Sequence, residues 1–116
     1  MIVAKGLVEK SLGRGRKLGF PTANIALGDA VVEDGIYIGF ANKMPALIFV
    51  GAAETFGERE RRIEAHLLDF DGDLYGQEIE VELKQKIRES RKFETQEELV
   101  AQMKKDEQVA RKYFST

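Results

Sequence analysis

The 116-residue sequence contains no cysteine, only two prolines and a single histidine. Without cysteine, the chain can form no disulfide, no thiolate zinc site and no cysteine nucleophile. The single histidine, His66, cannot by itself build a metal site, and we assign it no chemical role. The stability of the fold must therefore come from packing and hydrogen bonds.

Long apolar runs and a strong excess of one charge are also absent. No apolar stretch approaches the roughly 20 residues needed to cross a bilayer, and residues 1–12 do not resemble a secretory signal. The formal net charge of -2 argues against a surface built entirely for nucleic acid. With 43% hydrophobic and 33% charged residues, the composition is that of an ordinary globular protein. We expect one soluble domain over residues 1–116, a cytoplasmic monomer with no membrane and no nucleic-acid partner.

Most of the chain has the residue pattern of β-strands. Segments that are rich in β-branched or aromatic residues, or that alternate apolar and polar residues, predict strands at 2–8, 35–40, 46–51, 62–68 and 79–83. Asn42-Lys43 is the predicted turn between the second and third of these, and Asp71-Gly72 is a second turn. Short strands separated by such turns are typical of an antiparallel sheet.

The C-terminal segment has the pattern of a helix instead. Residues 95–98, Thr-Gln-Glu-Glu, match a capping box, in which a hydroxyl and a carboxylate satisfy free backbone donors at a helix start. Leu99, Met103, Ala110 and Phe114 then recur at near-helical spacing. The combined pattern predicts an all-β, closed or nearly closed antiparallel barrel with one C-terminal helix packed on it.

The glycine- and arginine-rich segment 13–19 leaves three interpretations open. It fits neither Walker A, which ends in Gly-Lys-Ser/Thr, nor G-x-G-x-x-G, whose third glycine would stand one residue earlier. The segment could be a solvated basic loop, a weak RNA or phosphate contact, or a flap over a nucleotide. An RNA site would use Arg14, Arg16 and Lys17, yet only Phe20 offers an aromatic ring nearby for stacking.

Three oxygen-bearing side chains are candidates for chemistry. In an extended backbone Thr22 and Asn24 face the same way, and together could hold one Mg ion that keeps waters and phosphate oxygens as its other ligands. Ordinary turn chemistry is the alternative for this pair. Glu64 lies between Ile63 and Ala65 in an alternating strand, so it points away from the apolar face. Taken alone, it could equally be a solvent-facing strand residue.

Several short segments, spread in order along the chain, carry a family resemblance. Residues 19–24 read Gly-Phe-Pro-Thr-Ala-Asn, and residues 64–70 read Glu-Ala-His-Leu-Leu-Asp-Phe. Shorter matches lie at 6–8, 13–16, 35–37, 55–57, 73–76, 88 and 92–93. Together these segments closely resemble the riboflavin kinases, including the kinase module of bacterial bifunctional enzymes that also make FAD. The resemblance implies a six-stranded antiparallel Greek-key barrel that uses Mg²⁺ and ATP to phosphorylate riboflavin to FMN.

The resemblance also implies roles for individual residues. It makes Thr22 and Asn24 ligands of Mg²⁺ and phosphate, and it makes Glu64 the base acting on the terminal ribityl hydroxyl. The residues implied at the ATP site are Ser11, Gly13, Arg16, Lys17, Thr22, Asn24, Leu67, Asp69 and Tyr75. The residues implied to contact riboflavin or FMN are Arg88, Arg91 and Phe93.

Two positions depart from the family pattern, and one rival function remains. Ser11 stands where the family usually has glycine, and Glu54 stands where it commonly has proline, so the nucleotide approach and the following loop are expected to differ from those of relatives. The chain also lacks an adenylyltransferase half, so these residues alone are not expected to make FAD. The rival is a catalytically idle flavin or nucleotide sensor with the same barrel, which the presence of Thr22, Asn24 and Glu64 together disfavours.

Overall fold

The computed structural model describes residues 2–9, 22–27, 31–52, 57, 60–70, 72 and 74–115. This part of the chain forms β1 (Ile2–Leu7), β2 (Ala23–Ala26), β3 (Gly35–Ala41), β4 (Met44–Gly51), β5 (Arg62–Leu67), β6 (Glu78–Arg88) and α1 (Gln96–Phe114). All five predicted strands and the predicted helix are confirmed, and β2 is an addition to them. No helix in the described ranges is long and apolar enough to pass through a membrane.

The six strands form one antiparallel sheet that curls into a nearly closed barrel. The strand order is β1-β6-β3-β4-β5-β2, so β6 returns to lie beside β3 after the consecutive strands β3, β4 and β5. That order is a Greek key. The two edge strands approach each other at the seam, where the Glu9 amide donates a hydrogen bond of 2.7 Å to the Asn24 carbonyl. The predicted Greek-key barrel is thus confirmed.

The turn between β3 and β4 follows the prediction from the sequence. Asn42 and Lys43 have φ angles of 51° and 64°, and Ala41 pairs with Met44 across the turn. Two central residues with positive φ match the right-handed twist of the flanking strands. Asparagine tolerates this conformation readily, whereas lysine adopts it at some cost.

The long strand β6 bends so that it can pair with two neighbours. Its first half pairs with β1 and its second half with β3, and register shifts interrupt both ladders. Such bulges increase local twist and help a sheet to close. Gly39 lies at one of these shifts, where a Cβ atom would stand 1.9 Å from the Glu82 carbonyl oxygen. The close approach of β3 and β6 therefore requires glycine at position 39.

Hydrophobic side chains form one central cluster in the barrel interior. The residues of this cluster are Val8, Ile25, Tyr37, Ala41, Ala46, Ile48, Val50, Ile63, Ala65, Leu67, Leu74, Ile79 and Val81. They come from β2 to β6 and from the segments beside the strands, and Ala4 of β1 packs against them. Burial of this surface is the main favourable term in the stability of the sheet.

The helix α1 packs on the outer surface of the barrel. Its Ala110 is buried with Ile36, Ile38, Leu47 and Leu68 in a second apolar cluster. At the start of the helix, the Glu98 amide donates to the Thr95 hydroxyl at 3.1 Å, as the capping box predicts. The C-terminal turn carries Arg111 and Lys112, whose positive charge is favoured there by the helix dipole.

Candidate active site

Three predicted residues meet on the outer surface of the barrel, where β2 pairs with β5. Asn24 and Glu64 are direct cross-strand partners in that ladder. The Thr22 hydroxyl lies 3.3 Å from Asn24 Oδ1 and 3.5 Å from Glu64 Oε1. Thr22, Asn24 and Glu64 are called the oxygen cluster below. Residues that are 42 positions apart in the sequence thus share one small patch of the sheet.

The alternation of the two strands explains why this patch forms. Ile25 on β2, and Ile63 and Ala65 on β5, are buried in the barrel interior. Because neighbouring strand residues point to opposite faces, Asn24 and Glu64 point outward. The predictions that Glu64 points away from the apolar face, and that Thr22 and Asn24 face the same way, are confirmed.

The contacts within the oxygen cluster are long for hydrogen bonds. A hydroxyl donor usually stands about 2.7–2.8 Å from its acceptor. The single Thr22 hydroxyl proton can serve Asn24 or Glu64 at any moment, but not both. Asn24 is nevertheless buried, with 4% of its surface exposed. The cluster thus holds three oxygen atoms close together while the bonds between them are weak.

A chain of polar and charged side chains connects β5 to the helix. His66 Nε2 stands 3.5 Å from a Glu107 carboxylate oxygen, and Arg111 donates to the same carboxylate at 3.0 Å. Arg111 also donates to Asp69 at 2.8 Å. Hydrogen bonds to Asp69 and then to Glu107 raise the pKa of Arg111 above its ordinary value. Asp69, a predicted ATP residue, is thus ion-paired to the helix.

The other residues predicted at the ATP site have different surroundings. Leu67 is buried in the barrel interior, whereas Tyr75 has 60% of its surface exposed. The remaining predicted ATP residues, Ser11, Gly13, Arg16 and Lys17, lie outside the described residues, as does segment 13–19, for which a nucleotide flap is one of the three interpretations.

The three residues predicted to contact the flavin lie together between β6 and α1. Phe93 is buried, with 5% of its surface exposed. The guanidinium carbon of Arg91 stands 4.6 Å from the centre of the Phe93 ring, and that of Arg88 stands 5.9 Å from it. Both distances suit a cation–π contact.

A helix residue for which no role was predicted completes this group. Arg88 donates to Asp106 through Nε at 2.9 Å and through Nη2 at 2.7 Å. Gln102 donates to the same carboxylate at 3.0 Å. Arg88, Arg91, Phe93, Gln102 and Asp106 are called the arginine cluster below. The sequence feature that could have pointed to Asp106 is its place on the apolar stripe of the helix, seven residues after Leu99 and four before Ala110.

The donors of the oxygen cluster define the class of the site. Hydroxyl, carboxamide and carboxylate oxygens are the ligands of a hard cation such as Mg²⁺, which usually binds phosphate groups as well. Within the described ranges, no group of three or more histidine, cysteine or acidic residues could hold a metal ion by itself. Three protein oxygens would leave further positions of a six-coordinate ion to other ligands.

The comparison with protein families identifies the particular family. The family model described as "Flavokinase: Riboflavin kinase" matches residues 1–114. The chain therefore belongs to the riboflavin kinase family.

Individual relatives agree with this family assignment. The chain is 40% identical over 106 residues to the bifunctional riboflavin kinase/FMN adenylyltransferase of Escherichia coli, covering 86% of this chain and 34% of that protein. It is 38% identical over 119 residues to the "RNA-binding riboflavin kinase RibR" of Bacillus subtilis, covering 98% of this chain and 52% of that protein. Across such relatives the chain spans between 18% and 52% of their length.

One solved structure has the same fold. It is titled as a macrolide-efflux protein from Streptococcus pneumoniae, and it superposes with a TM-score of 0.79 at 36% identity. The match covers 93% of this chain and 38% of that protein. The activity that this name implies is a property of the other protein, and the likeness supports the barrel described above.

Proposed function

We propose that this chain is a riboflavin kinase that transfers the γ-phosphate of ATP to the ribityl 5′-hydroxyl of riboflavin, giving FMN and ADP. The observation that carries the proposal is the cross-strand pairing of Asn24 with Glu64, with the Thr22 hydroxyl within 3.5 Å of both. The family match over residues 1–114 supports it.

In this proposal Thr22 and Asn24 hold Mg²⁺ together with the phosphates of ATP. Their side-chain oxygens are 3.3 Å apart, a separation that two ligands of one small cation can share. When bound, the ion would neutralise charge on the phosphate oxygens, which phosphoryl transfer requires more than covalent help. The long contacts of the Thr22 hydroxyl fit this role, because metal binding would replace only weak bonds of that hydroxyl.

Glu64 is proposed to act as the general base. Its carboxylate takes the proton of the ribityl hydroxyl as that oxygen bonds to the γ-phosphorus, and the bond from the γ-phosphorus to ADP breaks. The pairing with Asn24 across the ladder would hold this carboxylate beside the nucleotide phosphates. An outward-facing position on β5 leaves it on the same side of the sheet as the metal ligands.

The remaining residues are proposed to bind the two substrates. Asp69 and Tyr75 would contact the adenine nucleotide, while Leu67, whose side chain is buried in the barrel, would contribute through its backbone. Arg88 and Arg91 would contact the flavin with polar donors. Phe93 lies under both guanidinium groups and supports them.

Incubation of the purified chain with riboflavin, ATP and Mg²⁺, followed by chromatography, tests this function. FMN should appear in the wild-type reaction and in a Glu78→Gln control, since Glu78 is an exposed partner of Lys5 on another part of the sheet. Glu64→Gln should make little or none. Binding of riboflavin or ATP with no FMN in any reaction would favour the idle sensor instead.

Nucleic acid is not part of the proposed function. The relative named as RNA-binding extends well beyond the region that matches this chain. The basic residues that could contact RNA, Arg14, Arg16 and Lys17, lie outside the described part of the chain. We keep the prediction that RNA does not bind, and a titration at low salt would test it because phosphate contacts are strongest there.

A further inference from the structure

Asp106 is a carboxylate on the apolar stripe of α1, with only 3% of its surface exposed. It stands between Met103 and Ala110 on the side of the helix that faces the barrel. Burial of a carboxylate is unfavourable unless it is fully hydrogen-bonded and paired with a cation. A helix that needed only to pack on the sheet would be held better by an apolar residue at this position.

The hydrogen bonds of Asp106 are directed at one strand residue. Arg88 donates two bonds in a fork, from Nε and Nη2, at 2.9 and 2.7 Å. Gln102, one turn earlier on the same helix, donates a further bond of 3.0 Å. Paired bonds of this kind fix the plane of a guanidinium group as well as its position.

The other contacts of Arg88 extend this constraint to its neighbours. Its Nη1 donates to the Glu89 carbonyl at 3.0 Å, so Arg88 is bonded on both sides of its guanidinium group. The same group stands over Phe93, which also carries Arg91 over its ring. Asp106 is therefore connected through Arg88 to the Glu89 backbone and to the Phe93 ring.

The helix has other means of attachment to the barrel. Ala110 and Phe114 pack in the second apolar cluster, and the Phe114 ring meets Phe40 at 5.4 Å. A buried ion pair is by itself weak evidence for stability, because desolvation offsets much of its attraction. The fork geometry is thus better explained by orientation of Arg88 than by anchoring of the helix.

We propose that Asp106 is a positioning residue for flavin binding: through Arg88 it holds the donors of the 88–93 segment in the geometry that riboflavin requires. This inference rests on the proposed function, since it assumes that Arg88 and Arg91 contact the flavin. Asp106 itself touches Arg88 and Gln102, and its effect on riboflavin passes through Arg88.

The test replaces Asp106 by asparagine, which keeps the shape but loses the charge and one acceptor. We expect the riboflavin KM to rise about 10- to 100-fold, as for removal of one partner of a buried charged pair, with kcat and the ATP KM changed less than about threefold. Riboflavin Kd, measured by quenching of its fluorescence, should rise in parallel. Asp34→Asn is the matched control, because Asp34 also pairs with an arginine, Arg61, at 2.6 Å on an exposed surface.

A double-mutant cycle separates positioning from a merely structural role. Arg88→Ala should raise the riboflavin KM, and adding Asp106→Asn to it should cause little further change, because the second residue acts through the first. Fully additive losses, or a lower Tm with unchanged riboflavin KM and Kd, would overturn the inference. If Asp106→Asn does not fold, Asp106→Glu replaces it, since glutamate keeps the charge but displaces the carboxylate from the fork with Arg88, and the same rise in riboflavin KM is expected.

Failure of the proposed function is distinguishable from failure of this inference. If the wild-type chain makes FMN and the Asp106→Asn variant has a normal riboflavin KM, the inference is wrong and the proposed function stands. A wild-type chain that binds riboflavin without making FMN removes the proposed function, and the fluorescence Kd then still decides the role of Asp106. A wild-type chain that binds no riboflavin overturns both.

Discussion

The oxygen cluster and the arginine cluster are built in opposite ways. The oxygen cluster joins two neighbouring strands of the barrel through contacts of 3.3 and 3.5 Å that involve one shared hydroxyl. The arginine cluster joins a strand end to the helix through charged bonds of 2.7–3.0 Å. The first depends on the register of a sheet ladder and the second on the docking of a helix.

This difference fits the role that we propose for each cluster. Side chains that bond weakly to one another can exchange those bonds for a metal and phosphates at little cost. Side chains held by a charged fork are already fixed before any ligand arrives, which reduces the ordering that binding requires. Mutations in the oxygen cluster should therefore affect turnover most, and mutations in the arginine cluster should affect riboflavin affinity.

Glu64→Gln should have the largest effect. The amide keeps the shape of the carboxylate but cannot accept the ribityl proton, so turnover should fall about 100- to 10,000-fold while substrate affinities change little. Steady-state kinetics and direct binding of both substrates measure the two quantities. Near-normal turnover would mean that Glu64 is an ordinary outward-facing strand residue. Equal losses of rate and affinity would mean that it binds a substrate but does not act as the base.

Asn24→Ala should have the next largest effect. Loss of one ligand oxygen should lower kcat/KM for Mg-ATP by about 10-fold or more and shift the Mg²⁺ dependence to higher concentration. Because Asn24 is a buried residue of β2 rather than a loop residue, we also expect unfolding to become easier by about 1 kcal/mol. A Mg²⁺ titration of activity and a urea titration separate the two losses. Unchanged Mg²⁺ dependence would contradict the assignment of Asn24 as a ligand.

Gly39→Ala should weaken the scaffold that both clusters share. The new methyl group would meet the Glu82 carbonyl oxygen at 1.9 Å, so β3 and β6 must move apart at a cost of about 1–3 kcal/mol. Gly6→Ala is the matched control, because a Cβ atom there meets nothing within 4 Å. Since Arg88 ends β6, riboflavin affinity should suffer more than Mg-ATP affinity. Equal stability of the two variants would show that the strands relax without strain.

Lys43→Gly should have the smallest effect, and one of opposite sign. Lys43 has a φ of 64°, which glycine adopts without steric cost, so the free energy of unfolding should rise by about 0.5–1 kcal/mol. The turn touches neither cluster, so the kinetic constants should not change. Denaturant titration of both proteins measures the gain, and a loss of stability would mean that the lysine side chain contributes to the fold.

Local patterns were enough for the elements and for the faces of individual residues. The period-two alternation around Glu64 predicted its outward direction because the geometry of a strand alone determines it. The capping box at Thr95 likewise needs only four consecutive residues. The residues of segment 19–24 and of segment 64–70 pointed to the family, which the family match confirms.

Other features depended on partners that are distant in the sequence. The strand β2 was missed because a four-residue segment carries little pattern, and its pairing with β5 defines it. The burial of Asn24 was missed for the same reason. The predicted apolar face of the helix included Met103 and Ala110 but not Asp106, because an isolated aspartate is usually exposed to solvent.

The sequence by itself determined which residue types were present and, where a strand or helix has a clear apolar period, which way its residues point, since that direction follows from local backbone geometry. Only the tertiary structure decided that Asn24 pairs with Glu64 across the ladder and that Asp106 accepts hydrogen bonds from Arg88. The physical reason is that ladder register and helix docking are set by the whole apolar core, in which every strand and the helix must bury its apolar face at once.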